Sequence, residues 1–166
     1  MLISQKSLPF VSISLASPAD VLAAIPLINE AFALVTFLEG TRTDETRITE
    51  MMEKGDFLVA KEDESARIIA AVYVEKREER GYFGMLAVEP SRQGSGLGRT
   101  MVEAAEEHCR KRGCTHIDLT VLSLRPELLP FYRRLGYIET GTEEFHPGRP
   151  IKDGIECHCI IMSKAL

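Results

Sequence analysis

Residues 85–99 read MLAVEPSRQGSGLGR. An apolar run of strand character stops at Pro90, and glycines stand at 94, 96 and 98 where an amphipathic helical pattern begins. Proline ends the strand because it has no N–H to give to a ladder. Glycine at every second position lets the backbone approach a ligand without Cβ clashes and turns several N–H groups toward one point. A helix N-terminus behind that point adds about half a positive charge, so the segment predicts an anion cradle with phosphate as its guest. Two familiar cradles do not fit the letters. A P-loop needs Lys and then Ser or Thr after its last glycine, where Arg99 and Thr100 stand. A dinucleotide fingerprint spaces its glycines G-x-G-x-x-G after the first strand of a chain, whereas the spacing here is G-x-G-x-G and several strands precede it.

Downstream of the glycines, Leu97, Met101, Ala104, Ala105 and His108 recur at helical spacing as far as Gly113, and residues 116–122 return as a strand. Residues 126–135 are helical in pattern, with Pro130 inside them predicting a kink or a late start, and Gly136 as the cap. Residues 137–145 and 155–162 read as a terminal strand pair across HPGRPIKDG, residues 146–154. Upstream, residues 57–61 and 68–75 form a hairpin across EDESAR, and residues 82–88 add a strand after the mixed-sign run 75–80, which reads as a solvated turn. Val11, Ile13 and Leu15 alternate with serines as a half-buried strand. Ser17 and Pro18 then start a helix reaching about residue 34, and a shorter one follows Thr43 and closes at Gly55. The order βααβββαβαββ predicts an α+β fold with a mixed, mostly antiparallel twisted sheet flanked by helices.

With 166 residues and no linker or repeat, residues 1–166 read as a single domain. Hydrophobic residues at 45% and charged residues at 27% predict a water-soluble folded chain. A formal net charge of −5 disfavours nucleic acid and anionic membrane as partners. The longest apolar stretches, 21–28 and 68–74, are too short to span a bilayer, and residues 1–14 lack a leader pattern, so a cytoplasmic location is expected. Cysteines 109, 114, 157 and 159 read as buried thiols. On a strand Cys157 and Cys159 face one way and His158 the other, so they predict no metal site.

The loop Gln93-Gly94-Ser95-Gly96-Leu97-Gly98, the preceding Leu86-Ala87-Val88-Glu89-Pro90 and the later Phe131-Tyr132-Arg133-Arg134-Leu135-Gly136-Tyr137 resemble the GNAT superfamily of acyl-CoA-dependent N-acetyltransferases. The resemblance implies acetyl-CoA as acyl donor and an amine as acceptor, joined in a ternary complex without a metal; because no stretch marks a peptide groove, a small molecule is expected as acceptor rather than a protein terminus. It implies pantetheine against the backbone of Leu86, Ala87 and Val88. It implies pyrophosphate on the amides of Gln93, Gly94, Ser95, Gly96, Leu97, Gly98 and Arg99. Tyr132 matches the tyrosine placed beside the sulfur, and a phenol of pKa about 10 can protonate a leaving thiolate. A bulge in the fourth strand opens the family's slot, with Gly84 as a bulge position or a packing glycine.

Where family members carry a glutamate, this chain has Tyr82 on the fourth strand and Thr120 on the fifth, and Arg125 replaces a family asparagine. A water chain, or Glu39 or His158 reaching in from elsewhere, is the candidate base. The family chooses its amine with residues equivalent to 32–44 and 145–154, where Phe32, Phe37 and Leu38 beside Glu39 and Asp44 suit a cation-bearing amine or form an ordinary apolar cluster. Homodimers are common in the family. An inactive acyl-CoA-binding sensor and a protein N-terminal or lysine acetyltransferase are the alternative functions.

Overall fold

The computed structural model describes residues 11–146 and 150–166. The reading of the first ten residues, and part of that of the 146–154 connection, lie outside them. The first strand, β1, is Val11–Leu15. Helix α1, Pro18–Ala31, starts on a capping box: the Asp20 N–H donates to the Ser17 hydroxyl and the Ser17 N–H to the Asp20 carboxylate, both at 3.1 Å. It ends three residues earlier than its pattern suggests, because the apolar letters continue into the connection that follows. Helix α2, Glu45–Lys54, is capped by Asp44, whose carboxylate accepts the Arg47 N–H at 2.9 Å.

Strands β2 (Asp56–Glu62), β3 (Ile68–Arg77) and β4 (Arg80–Val88) form consecutive antiparallel hairpins. The charged run between β3 and β4 is tighter than its letters suggest: the ladder continues to Arg77 and Arg80, and Glu78 turns the chain at φ 57°. Helix α3 (Leu97–Lys111) crosses over to β5 (His116–Leu122), which lies parallel to β4. Helix α4, Leu128–Arg134, carries Pro130 in its first turn, where a missing N–H breaks no bond, so the late start holds. Strands β6 (Ile138–Glu144) and β7 (His158–Ala165) close the chain. β7 begins later than its letters suggest because it follows β5 from Leu122 opposite Cys159 to His116 opposite Ala165.

The sheet order is β1-β2-β3-β4-β5-β7-β6, antiparallel except for β4 with β5. Helices α1 and α2 cover one face, burying Val21, Ile28 and Ile48 against Phe57, Tyr73 and Met85. Helix α3 covers the other, with Leu97 and Met101 against Phe83, Ile117, Leu119 and Tyr137.

Two irregularities open the middle of this sheet. β4 and β5 pair only at Arg80–His116, Gly81–Ile117 and Tyr82–Asp118, and beyond that they part. On the other side of β4, Ala71 faces Ala87 and Tyr73 faces Gly84, leaving Val72 opposite both Met85 and Leu86. The bulge therefore lies just past Gly84, and Met85 adopts φ 49°. Gly84 serves packing: a Cβ there would come within 2.8 Å of the Tyr82 hydroxyl.

Candidate active site

The parting of β4 from β5 leaves a cavity of about 920 Å3. Its walls are the free edge of β4, the second half of β5, the glycine loop, Tyr132 of α4, the connection from α1 to α2, and the end of β6. Past Tyr82 the β4 backbone has no strand partner on its β5 side, so its polar groups there are open to water or to a guest that pairs like a strand.

The glycine loop supplies the second recognition element. Gly94 and Gly96 have φ values of 83° and 88°, which only glycine takes without strain. No side chain caps α3, and its first backbone bond runs from the Thr100 N–H to the Gly96 carbonyl. Among the described residues the amides of Gly94, Gly96, Leu97, Gly98 and Arg99 donate to no carbonyl, so five N–H groups at a helix N-terminus await an anion. The nearby carboxylates do not oppose it. Glu89 accepts from Arg67, Ser91 and Arg92, and Glu62 from Ser65, Arg67 and Arg92. The Arg67 hydrogen bond leads in holding the Glu89 carboxyl below its usual range. This brace ties the end of β2 and the β2–β3 turn to the loop, and pairwise charge patterns along the chain do not reveal it.

Tyr132 supplies the third element. It is 8% exposed, with its ring edge-on to Phe131 and Tyr137 and tilted against Phe83. Its hydroxyl has no hydrogen-bond partner among the described residues. Burial pushes its pKa up to about 12 against the opposing charge of Arg125, so the phenol carries its proton throughout the neutral range. An unpartnered buried hydroxyl beside a cavity is a donor waiting for a ligand atom.

The cavity brings together most of the residues singled out by sequence. Leu86, Val88, Gln93, Gly94, Gly96, Gly98, Arg99, Tyr82 and Tyr132 line it. Ala87 and Leu97 turn their side chains into the core and offer backbone only, while Ser95 donates both its hydroxyl and its amide to the Arg92 carbonyl. Phe37, Glu39 and His158 do not line the cavity; Glu39 is exposed, its amide held by the Pro150 carbonyl, and His158 is exposed on β7. Thr120 and Arg125 are in the wall. Arg42, Arg47, Glu143, Glu144 and His146 also line it, and sequence spacing gave no signal for them. Cys109, Cys114 and Cys159 are buried and Cys157 half-buried, and desolvation pushes the Cys109 thiol up to about 12 and Cys159 to about 11.

A family model described as acetyltransferase (GNAT) family matches residues 26–137, from α1 to the residue before β6. The chain belongs to that family. Rice glucosamine 6-phosphate N-acetyltransferase 1 is 32% identical to this GNAT chain over 93 residues, 52% of the chain and 54% of that protein. Rice serotonin N-acetyltransferase 2, chloroplastic, is 31% identical over 114 residues, 66% of the chain and 54% of that protein. The chain thus spans about half the length of either relative. The ribosomal-protein-S18-alanine N-acetyltransferase of Escherichia coli superposes with a TM-score of 0.74 over 93% of both chains at 19% identity. A Salmonella typhimurium structure solved with its cofactor acetyl-CoA superposes at 0.72 over 94% of both, at 17% identity. These likenesses make the seven-stranded architecture a GNAT fold. Among the described residues no helix is long and apolar enough to cross a membrane.

Proposed function

We propose that this chain is an acetyl-CoA-dependent N-acetyltransferase acting on a primary amine of a small molecule within a ternary complex. The observation that carries the reading is the unpaired β4 edge running directly into an uncapped amide cradle, a linear site for a strand-like arm ending in phosphates. Leu86, Ala87 and Val88 would hold that arm, and the amides of Gly94, Gly96, Leu97, Gly98 and Arg99 the pyrophosphate, those of Gln93 and Ser95 being spent on the Pro90 and Arg92 carbonyls. Acetyl-CoA supplies a thioester-activated acetyl group. Tyr132 holds a proton at Oη for the sulfur, and its high pKa keeps that proton in place until a thiolate draws it. The apolar faces of Phe83, Leu119 and Phe131 exclude water from the same space. Tyr82 and Thr120, in place of carboxylates, leave the amine to reach the cavity already deprotonated, with Tyr82 lining its path.

Calorimetric titration with acetyl-CoA, followed by CoA release over an amine panel, tests the reading. Tyr132→Phe is expected to lower kcat by about 100-fold while acetyl-CoA still binds, the usual share of a positioned acid. Gly96→Glu is expected to abolish binding. The rate should rise with pH toward the pKa of the amine and show no fall from Tyr132 ionisation below about 12. Binding without turnover of any amine would instead favour an acyl-CoA sensor, the reading to which the missing carboxylates at 82 and 120 lend support.

A further inference from the structure

We infer that the acceptor amine carries an anionic group, a carboxylate or a phosphate, gripped by Arg47 with Arg42 beside it. The inference rests on the acetyltransferase reading and names the substrate class of that site.

The two faces of the sheet divide the cavity's charges. The amide cradle and Arg99 belong to α3, whereas Arg42 and Arg47 come from the α1–α2 side, on the opposite face. A pyrophosphate held by the cradle therefore leaves Arg47 for the other reactant. The letters of this segment suggested the reverse polarity, with Glu39 and Asp44 receiving a cation. In the fold Glu39 stays out of the wall, and the Asp44 carboxylate caps α2 on the Arg47 amide.

Arg47 is half-buried in the wall, and its guanidinium donates to the Arg42 carbonyl at 3.3 Å. Among the described residues no carboxylate pairs with it, whereas Arg67, Arg80, Arg92 and Arg125 each sit on one. A guanidinium keeps its charge at any working pH and has five donors in a planar fork. One that is partly desolvated, in a wall that also holds Phe32, Leu34 and Val35, and that no carboxylate of the described residues pairs is matched by an oxyanion. The Arg42 guanidinium lies 5.2 Å over the Phe32 ring, which holds a second positive charge in the same wall. The cavity's acidic side chains, Glu143 and Glu144, come from β6, three strands away from β4 in the sheet order, and do not neutralise Arg47.

The test compares twin amines at matched concentrations of free base: β-alanine with its amide, and 2-aminoethyl phosphate with ethanolamine. Acetyl-CoA binding is measured first by calorimetry. The anionic member of at least one pair should exceed its neutral twin in kcat/KM by about tenfold or more, the worth of one charge-assisted hydrogen bond, and the better pair identifies carboxylate or phosphate. Arg47→Met should bring that ratio close to one through KM, with Arg47→Lys in between, while the acetyl-CoA Kd moves by less than about threefold, since the cradle is on the other face. Equal twins, a variant that depresses both twins alike, or one that weakens acetyl-CoA as strongly would overturn the inference. If no amine turns over, the twins are titrated into the CoA-saturated protein, and equal affinities overturn it. Failure to bind acetyl-CoA at all defeats the acetyltransferase reading first, and the inference falls with it.

Discussion

At the closed end of the gap one carboxylate does the fastening. Asp118 accepts from Arg80 Nε at 2.8 Å and Nη2 at 2.7 Å and from the Ser163 hydroxyl at 2.5 Å, joining the first residue of β4 to the last paired residue of β5 and to β7. The Arg80 hydrogen bonds lead in holding its carboxyl below the ordinary 3.8, with Ser163 adding to them. A depressed folded pKa stabilises the protein above the ordinary value, and this contribution disappears as pH falls through the lowered one. Asp118→Asn is therefore expected to cost about 1 kcal/mol near neutrality, a bidentate pair discounted for its exposure. That is a Tm lower by about 2–4 °C, with the two proteins converging in acid. Melts recorded from neutrality down to about pH 2 check this, and a gap of constant size would sink it. The same substitution should loosen acetyl-CoA binding, because the fastening sets where the strands begin to part.

At the scale of the element, two glycines of the cradle have different jobs. Gly96 is the N-cap of α3 at φ 88°, while Gly98 is inside the helix, where a Cβ would meet only Phe131 at 3.7 Å and Val88 at 3.9 Å. Gly96→Ala should destabilise by about 1 kcal/mol through left-handed strain, and Gly98→Ala should stabilise by a similar amount through helix propensity. Both put a methyl group in the wall and should weaken acetyl-CoA. Denaturation beside calorimetry separates the two effects, and stability changes of the same sign would contradict the assignment. The strand stop at Pro90 and the glycine spacing made the cradle legible in sequence. The bulge was less so, because Met85 at φ 49° is held there by burial between sheet and α1, and nothing in a methionine announces it. Helix α1 ends short of its apolar pattern for a related reason: the letters after Ala31 stay apolar because Phe32, Leu34, Val35 and Leu38 line a cavity, not because a helix continues. Arg42 and Arg47 look like solvated residues until tertiary packing sets them against that wall.

For the whole molecule, the open question is whether a sheet split down its middle still melts as one body. β4 and β5 share only three paired positions, so the ladder alone would couple the halves weakly. The coupling comes from side chains: Leu97, Met101 and Phe83 from one side pack in the same core as Leu119, Tyr132, Tyr137 and Met162 from the other. Below them Glu106 of α3, buried, accepts from the Tyr137 hydroxyl at 2.8 Å and from Lys164 of β7 at 3.1 Å. We propose on these grounds that residues 1–166 form one cooperative domain, with a calorimetric enthalpy equal to the van't Hoff enthalpy. A ligand lodged in the gap touches both halves, so acetyl-CoA at about 100 times its Kd should add about 2.7 kcal/mol and raise a single transition by roughly 5–10 °C. Two transitions, only one of them moving with the ligand, would mean that the shared core is too small to carry cooperativity across the gap. In that case the site would be a hinge between two bodies rather than a cleft in one.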